Sequence, residues 1–146
     1  MSDRHIDPER AQFDAFKALP RDTVIHMLNL VRFKDKAIYA DGHVLAGQDL
    51  TGAEAYRNYG ADSGPVFQRV GGRIVWRAAM ETMLIGPDNE RWDAVFIAEY
   101  PTSAAFMDMV TDPAYRQAVK HRQAAVETSR LIRCAPVSSQ DGTGFA

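Results

Sequence analysis

One cysteine, Cys134, stands in 146 residues, so no disulfide can form within the chain. A thiol between apolar neighbours reads as structural rather than reactive, in a protein kept in a reducing cytoplasm. Long hydrophobic runs are missing: no stretch approaches the roughly 20 apolar residues of a membrane span, and "MSDRHIDPERAQF" lacks the apolar centre of a signal peptide. A cytoplasmic location with no membrane partner is therefore expected. Positive charge is not in excess either; at a formal net charge of −2 no overall basic field exists to hold a polyphosphate chain, which argues against nucleic acid as a partner. Catalytic signatures are absent as well: there is no H-E-x-x-H, no paired C-x-x-C, no P-loop, no G-x-G-x-x-G after a strand and no nucleophile elbow. No metal site and no cofactor are expected on these grounds.

What is present is the pattern of one ordinary globular domain, 46% hydrophobic and 25% charged, long enough to bury a real core. "DPERAQFDAFKALP" predicts a short amphipathic helix, with Asp7 as cap, Pro8 at the first helical position, and Phe13, Phe16 and Leu19 on one face. "TVIHMLNLVRF", residues 23–33, is aliphatic on both parities and predicts a central strand. The segment 34–50 is longer than a connector needs; Asp41-Gly42 marks a turn, possible within a small hairpin, and the excursion suits either a cover over a binding site or padding at a subunit contact. Thr51 and Glu54 form a capping box, opening a helix that Gly60, Gly64 and Pro65 should bend or interrupt and that Gly71-Gly72 ends. Residues 73–85 and 92–100 predict a hairpin of two strands. Thr102 or Ser103 caps the next helix, Asp112-Pro113 starts another through Tyr115, Ala118, Val119, Arg122 and Val126, and "SRLIRCAPV" predicts the last strand. Residues 1–22 thus read as a helical extension, 23–136 as the main domain and 137–146 as a loose tail.

The order strand, helix, strand, strand, helix, strand is the ferredoxin-like α+β pattern: a four-stranded antiparallel sheet with both helices on one face. The other face is then bare. The first strand carries Val24, Leu28 and Leu30 on one side and Ile25, Met27 and Val31 on the other, and leaving several such side chains in water forfeits about 1.5–3 kcal/mol each. A second copy of the chain supplies the missing layer most simply, making a homodimeric barrel through the open sheet face.

The stretch "AVFIAEYPTSAAFMDMVTDPAYRQAVKHRQAAVETSRLIRCAP" carries Glu99-Tyr100-Pro101-Thr102 at the end of a strand, Asp112-Pro113-Ala114-Tyr115 closing one helix, then Arg122. It strongly resembles the C-terminal half of the bacterial family known as domain of unknown function 1330, within the dimeric α/β-barrel superfamily. "AYRNYGADSGPVFQRVGGRIVWR" is similar to that family's first helix and second strand. The resemblance covers about residues 23–136 and implies a ferredoxin-like dimer, with a pocket but no catalytic residue carried over by motif.

Candidate chemistry has to come from polar side chains inside apolar strands, which must pair, reach an edge or face a wet cavity. Pairing is the ordinary explanation for His26, Arg32, Arg77, Glu81, Glu99, Arg130 and Arg133. Period two separates His26 and Arg32 from Asn29. His26 and Glu99 are nonetheless the catalytic candidates as a proton-transfer couple. Asn29, Tyr56, Tyr59 and Trp76 are the ligand-binding candidates, positioning a small apolar or aromatic molecule. If the protein is an enzyme, cofactor-independent oxidation or isomerisation suits it better than hydrolysis. The alternatives are a noncatalytic ligand-binding or interaction module, and haem binding through His121, although a satisfied or surface histidine is the simpler reading.

Overall fold

The computed structural model describes residues 4–137 and 144–145. Along the chain run α1 (Arg10–Ala18), β1 (Ile25–Phe33), α2 (Gly52–Arg69), β2 (Arg73–Ala78), β3 (Ala94–Tyr100), α3 (Ser103–Thr111), α4 (Pro113–Ala125) and β4 (Val126–Cys134). The strands form one sheet in the order β2-β3-β1-β4, antiparallel at every pairing. This is the ferredoxin-like α+β architecture, with α1 added in front and the second helical crossover split into α3 and α4. No described helix is long and apolar enough to cross a membrane.

Strand parity decides which side is covered. On β1 the odd positions Ile25, Met27 and Val31 are buried beneath the helices, while His26, Leu28, Leu30 and Arg32 face the other side and keep part of their surface. Beneath the helices the core separates into two clusters. Ile25, Met27, Ala98, Tyr100, Val66, Met109 and Tyr115 pack at one end, and Val31, Tyr39, Ala55, Ala124, Ala125 and Val126 at the other. Asn29 lies between Met27 and Val31 on the same face of the strand.

Local chemistry explains most of the element ends. Thr51 and Glu54 form both bonds of the capping box, Thr102 caps α3 through the Ala105 amide, and Asp112 caps α4 with Pro113 in its first turn. Gly71, at φ +91°, takes the left-handed conformation that closes α2. The expected start of α1 is corrected: Glu9, not Asp7, is its N-cap, and it makes no side-chain cap bond. Asp7 instead accepts hydrogen bonds from the Gln123 carboxamide.

α2 is also less disturbed than expected, running unbroken through Gly60, Gly64 and Pro65. Packing on both sides of the proline holds it in place, since Ser63 and Val66 are buried and the Phe67 ring meets Tyr100 edge-on at 5.4 Å. β2 is shorter than the 73–85 expected from its apolar run. Ala78 pairs with Val95, one residue from the beginning of β3, so the partner strand runs out, and Leu84 and Ile85 stand almost fully exposed. β4 begins earlier than expected, with Val126 at once the α4 cap and the first strand residue. The 34–50 segment forms no hairpin, only an isolated bridge from Lys36 to Thr51, and Asp41-Gly42 is a turn with Gly42 at φ +88°. The tail expected over 137–146 falls for the most part outside the described residues. Cys134, expected among apolar neighbours, is exposed.

Gly52 locks three of these segments together. Its amide donates to the Lys34 carbonyl, and the Lys34 amide in turn donates to Ala125; a Cβ at position 52 would lie 2.1 Å from the Lys34 oxygen. Gly52→Ala is expected to destabilise the fold at the upper end of about 1–3 kcal/mol. Gly60→Ala, where an added Cβ meets nothing within 4 Å, should stabilise it by about 1 kcal/mol. Urea midpoints of the two variants check both signs.

Candidate functional site

Between the two core clusters the sheet and helices do not close, and a partly open cavity of about 1900 Å³ remains. Its floor is the helix-side face of the sheet, with Met27, Asn29, Phe96 and Ala98 in two adjacent strands. α2 contributes Tyr56, Tyr59 and Ser63, and α4 contributes Tyr115, Val119 and Arg122. The space exceeds the few hundred to 1000 Å³ of a typical ligand pocket, so a small molecule would fill only part of it.

α1 forms one rim of this space. None of its residues is buried, yet Phe13 and Phe16 line the opening and the Phe16 ring lies 5.1 Å from that of Phe106. Its trailing end is held by Arg133, which donates to the carbonyls of Phe16 (3.1 Å) and Pro20 (2.7 Å) and to the Ser103 hydroxyl (3.1 Å). Ahead of it, the His5 carbonyl accepts from the Ser129 amide and hydroxyl at 2.8 and 2.7 Å, and Arg122 donates to the Ile6 carbonyl. The N-terminal extension is thus anchored at both ends, with its middle beside the cavity.

The walls are aromatic. Tyr56 stands 5.0 Å from Phe33 and 5.4 Å from Tyr59, and Tyr59 shares a 2.7 Å hydrogen bond with the Tyr115 hydroxyl. Burial pushes the hydroxyls of Tyr56, Tyr59, Tyr100 and Tyr115 well above the ordinary tyrosine value, so all four remain neutral donors at physiological pH. Among the lining groups, two suited to orient a ligand keep polar atoms unpaired. The Tyr56 hydroxyl makes no hydrogen bond among the described residues, and Asn29 donates its N–H to the Met27 carbonyl of its own strand (3.0 Å) while its oxygen bonds to nothing.

Of the residues singled out from sequence, Asn29, Tyr56 and Tyr59 come together here and Trp76, His26 and Glu99 do not. A bulge in β2 explains Trp76: Ile74 pairs with Ala98 but Trp76 pairs with Ile97. Ile74 precedes the bulge and faces the cavity side with Ala98; the extra residue, Val75, reverses the parity after it, sending Trp76 to the open face with Arg73 and turning Arg77 to the cavity side. His26 and Glu99 also occupy the open face. Their 2.8 Å contact belongs to a row that crosses the whole sheet, Arg73 opposite Glu99, Glu99 opposite His26 and His26 opposite Cys134. Arg73 holds the second carboxylate oxygen at 2.9 Å. The two residues do pair, but away from the cavity.

His121 is buried, with Nδ1 2.6 Å from the Tyr39 hydroxyl and Nε2 2.9 Å from Asp62. Both ring nitrogens are occupied, which leaves none for haem iron. The cluster, extended by His43 stacked on Tyr39 at 4.6 Å, fastens the 34–50 segment to α2 and α4. Among the described residues no group of three or more His, Cys, Asp or Glu side chains is placed to hold a metal ion. Arg77 and Arg122 are the cavity residues for which the sequence carried no ligand signal; the bulge that turns Arg77 inward has no glycine or proline to mark it.

The hydrogen bond from His26, and then that from Arg73, hold the Glu99 carboxyl below its ordinary value of 4.5. The lowered folded value means that the ionised Glu99 carboxylate stabilises the fold above pH 4.5 and that this contribution disappears as pH falls through the folded pKa. Glu99→Gln is therefore expected to have a lower urea midpoint than the parent at pH 7. The gap should close progressively from about pH 5 downward; a gap that stays constant to pH 2 would contradict the assignment.

A profile of the family described as "Domain of unknown function (DUF1330)" matches residues 41–133. Among solved structures, the RPA0582 protein of unknown function from Rhodopseudomonas palustris is 57% identical, with the match covering 93% of this chain and 99% of that one at a TM-score of 0.86. The methylated RPA0582 protein gives 56% identity, 96% and 100% coverage and a TM-score of 0.88. At 13% identity the cofactor-independent oxygenase SnoaB from Streptomyces nogalater matches over 82% of this chain and 98% of its own, with a TM-score of 0.51, a likeness of fold. Among curated proteins none matches. The extent of the profile match and the identity to the Rhodopseudomonas protein over nearly the whole chain agree with the fold, and the chain belongs to the DUF1330 family.

Proposed function

We propose that the protein is a homodimer that binds a small aromatic or apolar molecule in the cavity between the sheet and the helices of each subunit. The observation that carries this reading is the Tyr56 hydroxyl, set among aromatic rings on the cavity wall with no hydrogen-bond partner. The hydroxyl is open to the solvent of the cavity, since no buried side-chain polar atom among the described residues lacks a partner, and a bound oxygenated ring would replace that water as acceptor and add a stacking surface. Asn29, with its oxygen unbonded, is the second polar contact.

Binding is the part of the function this geometry supports best. His26 and Glu99, the couple suited by residue type to proton transfer, lie across the sheet, and the tyrosines at the cavity are held neutral by burial. Such donors stabilise an oxyanion on a ligand. They are poor at removing a proton, so oxidation or isomerisation here would draw on the acidity of the substrate itself.

The dimer rests on the open face. Trp76 is 49% and Ile132 45% exposed there, on the same side as Leu28, Leu30, Val95 and Ile97. Covering this surface with a second copy recovers about 25 cal/mol for each Å² withdrawn from water, and it places the His26–Glu99 row at or beside the seam.

Two variants separate the claims. Tyr56→Phe is expected to weaken binding of 1-naphthol about threefold to tenfold, the value of one hydrogen bond, without altering the sedimentation coefficient. Trp76→Arg is expected to shift sedimentation to the monomer. Unchanged naphthol affinity in Tyr56→Phe sinks the pocket assignment, and a parent protein that sediments as a compact monomer at micromolar concentration sinks the dimer.

A further inference from the structure

We propose that the ligand of this cavity is an aromatic carboxylate, with the carboxylate held by Arg77 and the ring lying among the tyrosines. The proposal rests on the cavity reading above and adds the charge of its occupant. The chain as a whole is weakly acidic, net −2, yet seven arginines and one lysine border the cavity against two aspartates, two of the arginines, Arg73 and Arg130, from open-face strand positions. A concave surface with that imbalance concentrates anions at its mouth.

Five of these eight cations already have partners within the fold, Lys17 with Asp14 among them, while Arg57, Arg77 and Arg116 make no side-chain hydrogen bond or ion pair among the described residues. Arg73 pairs with Glu99, Arg133 and Arg122 hold the N-terminal extension, and Arg130 lies 5.3 Å over the Trp92 ring. Arg77 makes no hydrogen bond, ion pair or ring contact among the described residues. It is solvent-exposed at the cavity rim, where the β2 bulge turns it to the helix side, opposite Phe96. Arg77 and Tyr56 both line the cavity, and the guanidinium charge is felt by the Tyr56 hydroxyl. Of the two aspartates, Asp93 accepts from the Phe33 amide and Arg91, and Asp7 from Gln123. Neither makes an ion pair with Arg77.

The type of anion follows from the donors. A guanidinium presents two parallel N–H groups that match a carboxylate, and the hydroxyl beside it adds one more donor. A phosphate draws on several converging cations or a row of backbone amides, and the other cavity arginines without an ion pair, Arg57 and Arg116, belong to α2 and α4 rather than to β2 with Arg77. An ordinary phenol is uncharged at neutral pH and would leave Arg77 without a counter-ion.

The test uses the full chain and two probes of the same ring, 1-naphthoate and its neutral amide 1-naphthamide, titrated calorimetrically at pH 7 in 50 and 300 mM salt. The parent should bind naphthoate at least ~10-fold more tightly than the amide, as a charge-assisted hydrogen bond implies, with the preference shrinking at high salt. Arg77→Gln should bring the two probes within about threefold, chiefly by weakening naphthoate, and Arg77→Lys should restore part of the preference. Equal affinities in the parent, or a preference that survives Arg77→Gln, overturn the carboxylate assignment and leave the cavity reading standing. Failure of both probes to bind overturns the two together.

Discussion

The site depends on a gap in packing along one face of one strand. Side chains on the helix side of β1 alternate with those facing away, and on that side the series is Ile25, Met27, Asn29, Val31. Three of the four bury fully, while the asparagine in the middle cannot enter an apolar core without a partner for each polar atom. The core therefore condenses on either side of it. Small residues of α2 and α4, Ala55, Ala124 and Ala125, close the chain over Val31 at one end. Larger ones, Val66, Met109, Tyr100 and Tyr115, fill the space over Met27 at the other. The volume left between these clusters is the cavity; Tyr56 and Tyr59 reach it from α2 and Tyr115 from α4.

The two faces of the sheet consequently have different tasks. The helix side holds neutral aromatic donors and an unpaired guanidinium. The open side carries aliphatic side chains and a polar row, in which Glu99 is held by both His26 and Arg73. Satisfied ion pairs beside a greasy surface suit a contact between copies, because they add register to an association driven by apolar burial. A free hydroxyl and a free guanidinium beside aromatic rings suit an exchangeable small molecule. Burial of the tyrosine hydroxyls reinforces this division by keeping them protonated.

Much of the architecture is legible from residues alone. Thr51 with Glu54, Thr102, and Asp112 with Pro113 mark helix starts by hydrogen bonds that only local spacing determines, and the βαββαβ order fixes which face the helices cover. The parity of β1 already separates Asn29 from His26. Other features depend on partners that no local pattern reveals. The apolar run 79–85 reads as strand but has no neighbour to pair with, and Pro65 sits inside a helix because tertiary packing on both sides outweighs its local cost. Trp76 and Arg77 exchange faces through one extra residue, Val75, in a run of ordinary strand formers. His121 shows the same limit from another direction: its chemistry suits a ligand, and only its contacts with Tyr39 and Asp62 show that it fastens a loop.

The central claim is that a small molecule binds on the helix side of the sheet. The most direct measurement is mapping of backbone amide shifts by NMR during titration with 1-naphthoate. The account predicts that the largest changes fall on Asn29, Tyr56, Tyr59, Phe96 and Arg77, with the open-face residues Leu28, Ile97 and Ile132 little affected. Changes centred on Trp76, Ile97 and Ile132, with Tyr56 and Tyr59 unmoved, would place the ligand on the other face and contradict it.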